Sequence, residues 1–245
     1  MSSVPDDKTH GHLLGGRVQY AQPRSGFRSG IEPVLLAAAI PARPGSRVLE
    51  GGSGAGAALL CLAARVSGVQ GLGVEQDPAL VALARENATA NSWSGLNFIA
   101  ADIASLAARE TFDHACANPP YHSAAGTASP DASRRAAKRA ATGLLTTWAT
   151  ALARPLRARG TLTFILPAAL LPEAVAAFLA AGCPPIAMLP LWAKPGRPAK
   201  LLLLRGIKGS REPFSVLPGL VLHAPDDSFT AEADAILRGG AALEI

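Results

Sequence analysis

The sequence predicts an α/β fold in which a seven-stranded, mostly parallel sheet is flanked by helices. Between about Arg43 and Ile207, short apolar runs alternate with alanine-rich stretches of helical period, the pattern of a parallel sheet covered on both faces. Hydrophobic residues make up 49% of the 245-residue chain, enough for one sizeable core. A glycine-rich loop separates the first apolar run from the first long helical stretch, as in many ligand-binding α/β domains.

Seven apolar runs have the length and composition of strands. We predict strands at Arg47–Glu50, Val69–Glu75, Leu96–Ala100, Phe112–Ala117, Gly160–Leu166, Ile186–Trp192 and Leu201–Gly206. Helices are predicted between them, at residues 56–66, 78–90, 134–154 and 170–181. Pro78 suits the first turn of the second of these helices, because the N–H that proline lacks has no partner there.

Segments of different composition flank the predicted sheet domain, which spans residues 43–208. Residues 1–42 form an N-terminal segment with a hairpin over Leu13–Tyr20 and a helix over Pro33–Ile40. Residues 209–245 mix proline, glycine and short apolar runs, so we expect an ordered extension that packs on the domain.

The chain shows no membrane, secretion or metal-binding pattern. Apolar runs such as Val34–Ile40 are far below the roughly 18 residues needed to span a bilayer. The first residues carry acids where a secretory signal carries positive charge, so we expect a cytoplasmic protein. The three cysteines are widely spaced, which is typical of small buried hydrophobes: Cys61, Cys116 and Cys183.

Gly52, Gly54 and Gly56 lie in the loop RVLEGGSGAGAALL, where absent side chains let a ligand approach the backbone. Their G-x-G-x-G spacing is one residue tighter than the dinucleotide pattern and resembles the S-adenosyl-L-methionine loop of Rossmann-like class I methyltransferases. The preceding Glu50 is favourable beside a sulfonium and an amino acid, whereas it would repel a pyrophosphate. The alternative is that the glycines only pack the helix against the sheet.

Two more acids follow strand ends. Glu75 is suited to accept hydrogen bonds from both ribose hydroxyls of a nucleoside. Asp102 is suited to accept from an adenine amine, with the N–H of Ile103 available to a ring nitrogen. The alternative for each acid is a helix cap.

The tetrad Asn118-Pro119-Pro120-Tyr121 directly follows the fourth strand and resembles the NPPY motif of methyltransferases that modify planar amines. Such an amine is a poor nucleophile because its lone pair is delocalised. The Asn118 side-chain oxygen and the Pro119 carbonyl can each accept one N–H, which favours a pyramidal nitrogen. The two prolines hold these acceptors in advance, and Tyr121 offers a stacking face. The alternative is an ordinary turn.

These motifs define the predicted site, which needs no metal. The catalytic set is Asn118, Pro119, Pro120 and Tyr121. The set for S-adenosyl-L-methionine is Glu50, Gly52, Ser53, Gly54, Gly56, Glu75, Gln76, Asp102, Ile103 and Asn118.

Five segments together are similar to the bacterial family of tRNA N6-adenine methyltransferases. They are QPRSGFRSGIEPVLLAA, VLEGGSGAGAALLCLAARV, GVEQDPALVALARENATAN, ANPPYHSAAGTASPD and LPLWAKPGRPAKLLLLRGIKG. The resemblance, over roughly residues 13–240, implies a tRNA anticodon stem-loop as partner and methylation of the adenosine 3′ of the anticodon. Glu50 and Glu32 stand where Asp is more usual, and Gly51 replaces an apolar residue.

Clustered cations agree with an RNA partner, since phosphates attract Lys and Arg. The net charge is +5, and ten of the 23 basic residues fall in two clusters. The first is Arg134, Arg135, Lys138 and Arg139, and the second is Lys194, Arg197, Lys200, Arg205, Lys208 and Arg211. A solvated helix face is the alternative for the first cluster.

Other functions share the NPPY chemistry. A release-factor glutamine presents the same planar NH2, and the motif does not separate it from adenine. A ribosomal RNA guanine N2-methyltransferase is a further alternative, although those enzymes usually carry Phe at the position of Tyr121. A non-catalytic nucleic-acid-binding module on the same fold is disfavoured by the intact Asn118.

Overall fold

The computed structural model describes residues 8–24, 29–106, 111–120 and 143–245. The strands are β1 (Lys8–Leu13), β2 (Val18–Pro23), β3 (Arg47–Gly51), β4 (Gln70–Glu75), β5 (Leu96–Ala100), β6 (Phe112–Ala117), β7 (Leu156–Pro167), β8 (Pro185–Trp192), β9 (Leu201–Ile207), β10 (Ser215–Val216) and β11 (Leu220–Val221). The helices are α1 (Glu32–Ala39), α2 (Ala57–Arg65), α3 (Pro78–Ala90), α4 (residues 143–153), α5 (Leu171–Ala180) and α6 (Ala231–Leu237).

The central sheet has nine strands among the described residues, two more than predicted. All seven predicted strands are present, and β10 and β11 are added beyond them. Each of these two strands has two residues and pairs parallel with β8. Runs this short leave no hydrophobic alternation, which is why the sequence pattern missed them.

The start of β7 also differs from the prediction, which placed it at Gly160. The strand begins at Leu156, and its pairing with β6 shifts register between Phe112 and His114. The exposed residues of the RAR segment interrupt the apolar pattern there, so sequence periodicity hides the first four residues.

Strand order brings several strand ends to one edge of the sheet. The path runs β10-β8-β9-β7-β6-β3-β4-β5, with β3 to β7 mutually parallel where they are neighbours. β9 is antiparallel to both β7 and β8. The carboxyl ends of β3, β4, β5, β6, β7 and β8 therefore share one edge, called the carboxyl edge below. β4 and β5 lie on one side of β3, and β6 and β7 lie on the other. In α/β sheets, ligands bind at such switch points, where the strand order reverses.

Helices cover both faces of the sheet, as the alternating pattern predicts. α1, α2, α3 and α6 contribute to the apolar core on one face, with fully buried Leu35, Leu60 and Leu83. α4 and α5 contribute to the core on the other face, with buried Leu152 and Phe178. The free cysteines Cys61, Cys116 and Cys183 are all buried, which confirms their interpretation as hydrophobes.

The predicted N-terminal hairpin is present, with strands longer than expected. β1 pairs antiparallel with β2 from Lys8 opposite Pro23 to Leu13 opposite Val18. A short 3-10 turn joins them, and its Gly15 and Gly16 have φ of 61° and 99°, a region that suits glycine. The hairpin forms a separate two-stranded sheet, whose position is set by contacts with α2 and α3.

One residue of the second cationic cluster is part of the core, which corrects its predicted role in RNA binding. Arg205 is 5% exposed, and burial lowers its pKa to about 10. Its guanidinium donates to the Ala39 carbonyl, to the Ile245 carbonyl at 2.7 Å and to Thr163 Oγ1 at 3.4 Å. The carboxyl end of α1 and the C-terminal extension are thereby joined to the sheet.

The extension after Gly209 packs against the same helix. α6 contacts α1, and the Leu243 N–H donates to the Ala38 carbonyl at 2.9 Å. Within the described residues, no helix is both long and apolar enough to cross a membrane.

Replacing Arg205 by methionine tests its structural role. The variant keeps much of the side-chain volume but leaves the acceptors on Ala39, Thr163 and Ile245 without a donor, so we expect the free energy of unfolding to fall by about 2–4 kcal/mol. Urea denaturation measures the change, and Arg211→Met, at an exposed arginine, is the matched control. Equal stability of the two variants would contradict the role assigned to Arg205.

Candidate active site

The site is built at the carboxyl edge, where β3 lies between β4 and β6. Glu50 is opposite Gly73 on one neighbour and Cys116 on the other. The loop that follows is held by β4, because the N–H groups of Gly52 and Ser53 donate to the Val74 carbonyl at 2.8 Å and 3.2 Å. The predicted glycine loop therefore leaves the sheet in a fixed direction.

The three glycines of the loop differ in what surrounds them. All have positive φ: 65° at Gly52, 52° at Gly54 and 89° at Gly56. A Cβ at Gly52 would lie 2.6 Å from the Trp148 ring, and one at Gly56 would lie 2.9 Å from the Phe98 ring. A Cβ at Gly54 would meet nothing within 4 Å. The positive φ favours glycine at all three positions, packing is a second reason at Gly52 and Gly56, and Gly54 faces open space.

A cavity lies beside this loop and brings together half of the residues predicted to bind the cofactor. Five predicted residues line it: Glu50, Gly52, Ser53, Gly54 and Asn118. Three residues that the sequence analysis missed line it too, namely Tyr20, Gln22 and Ser29. They form one side of the cavity, called the hairpin roof below.

The hairpin roof is held by its own hydrogen bonds. Tyr20 Oη and Ser29 Oγ are 2.8 Å apart, and the Ser29 N–H donates to Gln22 Oε1 at 3.0 Å. Burial raises the pKa of Tyr20 to about 12, so this phenol stays protonated. The sequence predicted the hairpin, but no local pattern indicates that it folds over the glycine loop.

Glu50 is the electrostatic centre of the cavity. It is 4% exposed, and its Oε2 atom has no hydrogen-bond partner among the described residues. Burial raises its pKa to about 8, a backbone hydrogen bond from Leu59 opposes this shift, and the nearby Glu75 adds to it. A buried carboxylate without a partner is costly unless a cation or donor reaches it, so the cavity suits a ligand that carries a positive charge.

The other acids of the predicted site do not line this cavity. Glu75 Oε2 accepts from the Gly54 N–H at 3.0 Å, and its Oε1 accepts from the Asp77 N–H at 3.1 Å. Asp102 Oδ1 accepts from the Ala104 N–H at 2.9 Å and caps a short 3-10 helix, the alternative that the sequence left open. Gln76 is exposed just beyond β4.

Ile103, the last of this group, is buried beside the loop. A Cβ at Gly51 would lie 3.5 Å from its side chain, and Leu152 of α4 lies on the same side. The roles predicted for Glu75, Gln76, Asp102 and Ile103 toward a nucleoside stay predictions.

The NPPY tetrad begins at the cavity. Gly51 is opposite Ala117 in the β3–β6 pairing, so Asn118 emerges next to the glycine loop. Asn118 is half-buried, Pro119 is buried and Pro120 is exposed. Within the described part of the chain, the Asn118 amide has no hydrogen-bond partner, which leaves its oxygen available to a ligand. Tyr121 lies outside the described residues, as do Arg134, Arg135, Lys138 and Arg139.

The second cationic cluster is divided between opposite edges of the sheet. Lys194, Arg197 and Lys200 lie in the β8–β9 connection at the carboxyl edge, where Lys200 O accepts from the Ala168 N–H just beyond β7. Arg197 and Lys200 are exposed, whereas Lys194 is half-buried and pairs with Asp227 at 2.7 Å.

The remaining two cations of this cluster lie beyond the carboxyl end of β9, at the other edge. Lys208 Nζ donates to the Leu156 carbonyl at 2.7 Å, and its N–H donates to the Gly160 carbonyl near the start of β7. Exposed Arg211 follows it. A continuous basic segment in sequence is therefore not a continuous surface.

Comparison with known proteins identifies the family of this chain. Residues 31–148 match the family model described as Methyltransferase small domain. The tRNA1(Val) (adenine(37)-N6)-methyltransferase of Actinobacillus succinogenes is 32% identical over 216 residues, which cover 85% of this chain and 88% of the relative. The chain belongs to the tRNA1(Val) (adenine(37)-N6)-methyltransferase family. The family resemblance and the fold class predicted from the sequence are thereby confirmed.

Further relatives agree with the assignment to the tRNA1(Val) (adenine(37)-N6)-methyltransferase family. The protein of that name from Tolumonas auensis is 33% identical over 148 residues, covering 60% of this chain and 62% of the relative. Solved structures support the fold alone. A predicted O-methyltransferase from Agrobacterium tumefaciens superposes with a TM-score of 0.73 at 23% identity, covering 87% and 99% of the two chains.

A more distant structure shares the same fold. The geranyl diphosphate C-methyltransferase of Streptomyces coelicolor A3(2) superposes with a TM-score of 0.52 at 10% identity, covering 71% of this chain and 73% of that one.

Glu50→Gln tests the unpartnered carboxylate. Because the raised pKa means that the folded protein must ionise a buried group, its stability falls as pH rises from the ordinary carboxyl range toward about 8. The glutamine variant lacks this loss. Its free energy of unfolding should match the wild-type value near pH 5 and exceed it at pH 8.5 by a few kcal/mol. Urea denaturation at both pH values measures this, with exposed Glu244→Gln as control. A pH-independent difference would contradict the interpretation.

Proposed function

We propose that this protein uses S-adenosyl-L-methionine to methylate N6 of the adenosine 3′ of the anticodon in a tRNA. The observation that carries the proposal is that Asn118 lines the same cavity as the unpartnered Glu50 carboxylate. An acceptor for an amine and an acceptor for a cation are thus adjacent. The names of the relatives support tRNA adenine as the substrate.

The residues of the cavity fit this cofactor. Glu50 would accept from its α-ammonium group, and the open approach at Gly54 would admit its amino-acid end. Glu75, Asp102 and Ile103 remain the residues predicted to hold the nucleoside end. When bound, S-adenosyl-L-methionine supplies an electrophilic methyl group. Binding of its ammonium beside Glu50 favours the ionised carboxylate, so the protein releases a proton when the free carboxyl is protonated.

Asn118 and Pro119 would act on the methyl acceptor. The Asn118 side-chain oxygen and the Pro119 backbone carbonyl each accept one N–H of the adenine amine, which localises the nitrogen lone pair. Proline rings on both following residues restrict the backbone, so little ordering is required on binding. The adenine must leave its stack to reach these oxygens, and an anticodon loop offers bases that are already unpaired.

Exposed cations at the carboxyl edge favour an RNA substrate over a glutamine side chain. Arg197 and Lys200 lie on the side of the sheet where Asn118 lies, and phosphates flank a flipped base on both sides. Arg211 lies at the opposite edge and serves as an internal comparison.

Asn118→Ala tests the catalytic role. The variant should still bind S-adenosyl-L-methionine but lose methyl transfer to a valine tRNA transcript by about 100-fold or more, because one preorganised acceptor is removed. Calorimetry measures binding, and incorporation of labelled methyl groups measures transfer. A transcript with guanosine in place of the target adenosine and a release-factor peptide are the substrate controls. Undiminished transfer by Asn118→Ala would contradict its assigned role, and transfer to the peptide alone would contradict the proposed substrate.

Arg197→Glu and Arg211→Glu, equal charge reversals at the two edges, test the tRNA surface. We expect Arg197→Glu to weaken tRNA binding about tenfold at moderate salt and to reduce the slope of log affinity against log salt concentration by about 0.7 to 0.9. Arg211→Glu should change affinity less than threefold. Filter binding across a salt series measures both. Equal losses would indicate a general charge effect and contradict the assignment of the surface to the carboxyl edge.

A further inference from the structure

Asn87 of α3 is a buried side chain that hydrogen-bonds both to β2, beside the hairpin roof, and to the glycine loop. Asn87 is 3% exposed. Its Oδ1 accepts from the Ala21 N–H at 2.8 Å, and its Nδ2 donates to the Ala21 carbonyl at 2.8 Å and to the Ala55 carbonyl at 3.0 Å. One amide thus satisfies both backbone groups of a hairpin residue and one carbonyl of the loop.

The two segments that Asn87 joins both line the cavity. Ala21 lies between Tyr20 and Gln22, both of the hairpin roof, and Ala55 itself lines the cavity. The separation of the two segments is therefore fixed by a side chain that does not line the cavity. Because the interior around an amide of this kind is closely packed, the spacing has little freedom to adjust.

A second asparagine four residues later, Asn91 at the carboxyl end of α3, makes the same pair of hydrogen bonds to β2. Asn91 Oδ1 accepts from the Gln19 N–H at 2.9 Å, and its Nδ2 donates to the Gln19 carbonyl at 2.8 Å. Residues four apart on a helix share a face, and residues two apart on a strand do so as well. Asn87 and Asn91 therefore pair with alternate residues of β2, in the manner of a neighbouring strand. Asn91 makes no contact with the glycine loop in the described structure, so it is a natural control.

We propose that Asn87 is a positioning residue for the cofactor, which sets the distance between the hairpin roof and the glycine loop. The inference rests on the proposed use of the cavity for S-adenosyl-L-methionine. Asn87 touches neither cofactor nor substrate, and it acts through the backbone of Ala21 and Ala55. Asn91 holds the same strand through Gln19, but it does not set the distance to the glycine loop.

The paired variants Asn87→Ala and Asn91→Ala test the proposal. Each variant loses two hydrogen bonds to β2 and one further bond. For Asn87 the further bond goes to the Ala55 carbonyl, and for Asn91 it goes to the Asn87 carbonyl, so only Asn87→Ala releases the glycine loop. We expect Asn87→Ala to weaken binding of S-adenosyl-L-homocysteine at least tenfold, measured by calorimetry, and Asn91→Ala to change it less than threefold. Equal affinity of the two variants, whatever their melting temperatures, would overturn the proposal.

Hydrogen exchange of the wild-type protein keeps the proposal testable if Asn87→Ala does not fold. The Ala21 N–H donates to Asn87 Oδ1, and the Gln19 N–H donates to Asn91 Oδ1. Ligand binding should slow hydrogen exchange at the Ala21 N–H more than at the Gln19 N–H. Equal slowing at both amides overturns the inference alone. Failure of the wild-type protein to bind S-adenosyl-L-homocysteine would overturn the proposed function together with it.

Discussion

The buried carboxyl group of Glu50, whose Oε2 atom has no hydrogen-bond partner, is the feature on which the rest of the site depends. A carboxyl group that is 4% exposed and lacks a partner for Oε2 destabilises the free protein once it ionises. The surrounding core offsets this cost, with apolar residues of α1 and α2 packed on the same side of the sheet. A cationic ligand would supply the missing counter-charge, so the group that weakens folding in the free protein would strengthen ligand binding.

Parallel strand pairing brings the other groups of the site close to Glu50. Because β3, β4 and β6 are parallel neighbours, whatever follows each strand is delivered to the same edge. The glycine loop, the Glu75 carboxylate and Asn118 meet there although Asn118 comes 43 positions after Glu75. β9 is antiparallel to both β7 and β8, so the β8–β9 connection lies at the same edge. Arg205, in β9, is buried in the core.

Prediction succeeded where a local pattern has one physical interpretation. The strands Leu96–Ala100 and Phe112–Ala117 agree to the residue, because turn-forming or polar residues bound each apolar run. It failed where the deciding partner is distant in the chain. The two-residue β10 and β11 exist only because β8 offers an open edge, and the basic character of Arg205 concealed a core position.

The sequence by itself determined the strand–loop–helix unit, the glycine spacing and the NPPY tetrad, because each depends on residues within a few positions of one another. Tertiary structure alone decided that Gly52 and Gly56 serve packing while Gly54 faces open space, and that Asp102 caps a short helix. It also decided that Tyr20, Gln22 and Ser29 enclose the cavity. The physical reason is that burial and the identity of a hydrogen-bond partner depend on segments far apart in the chain, which periodicity and spacing do not encode.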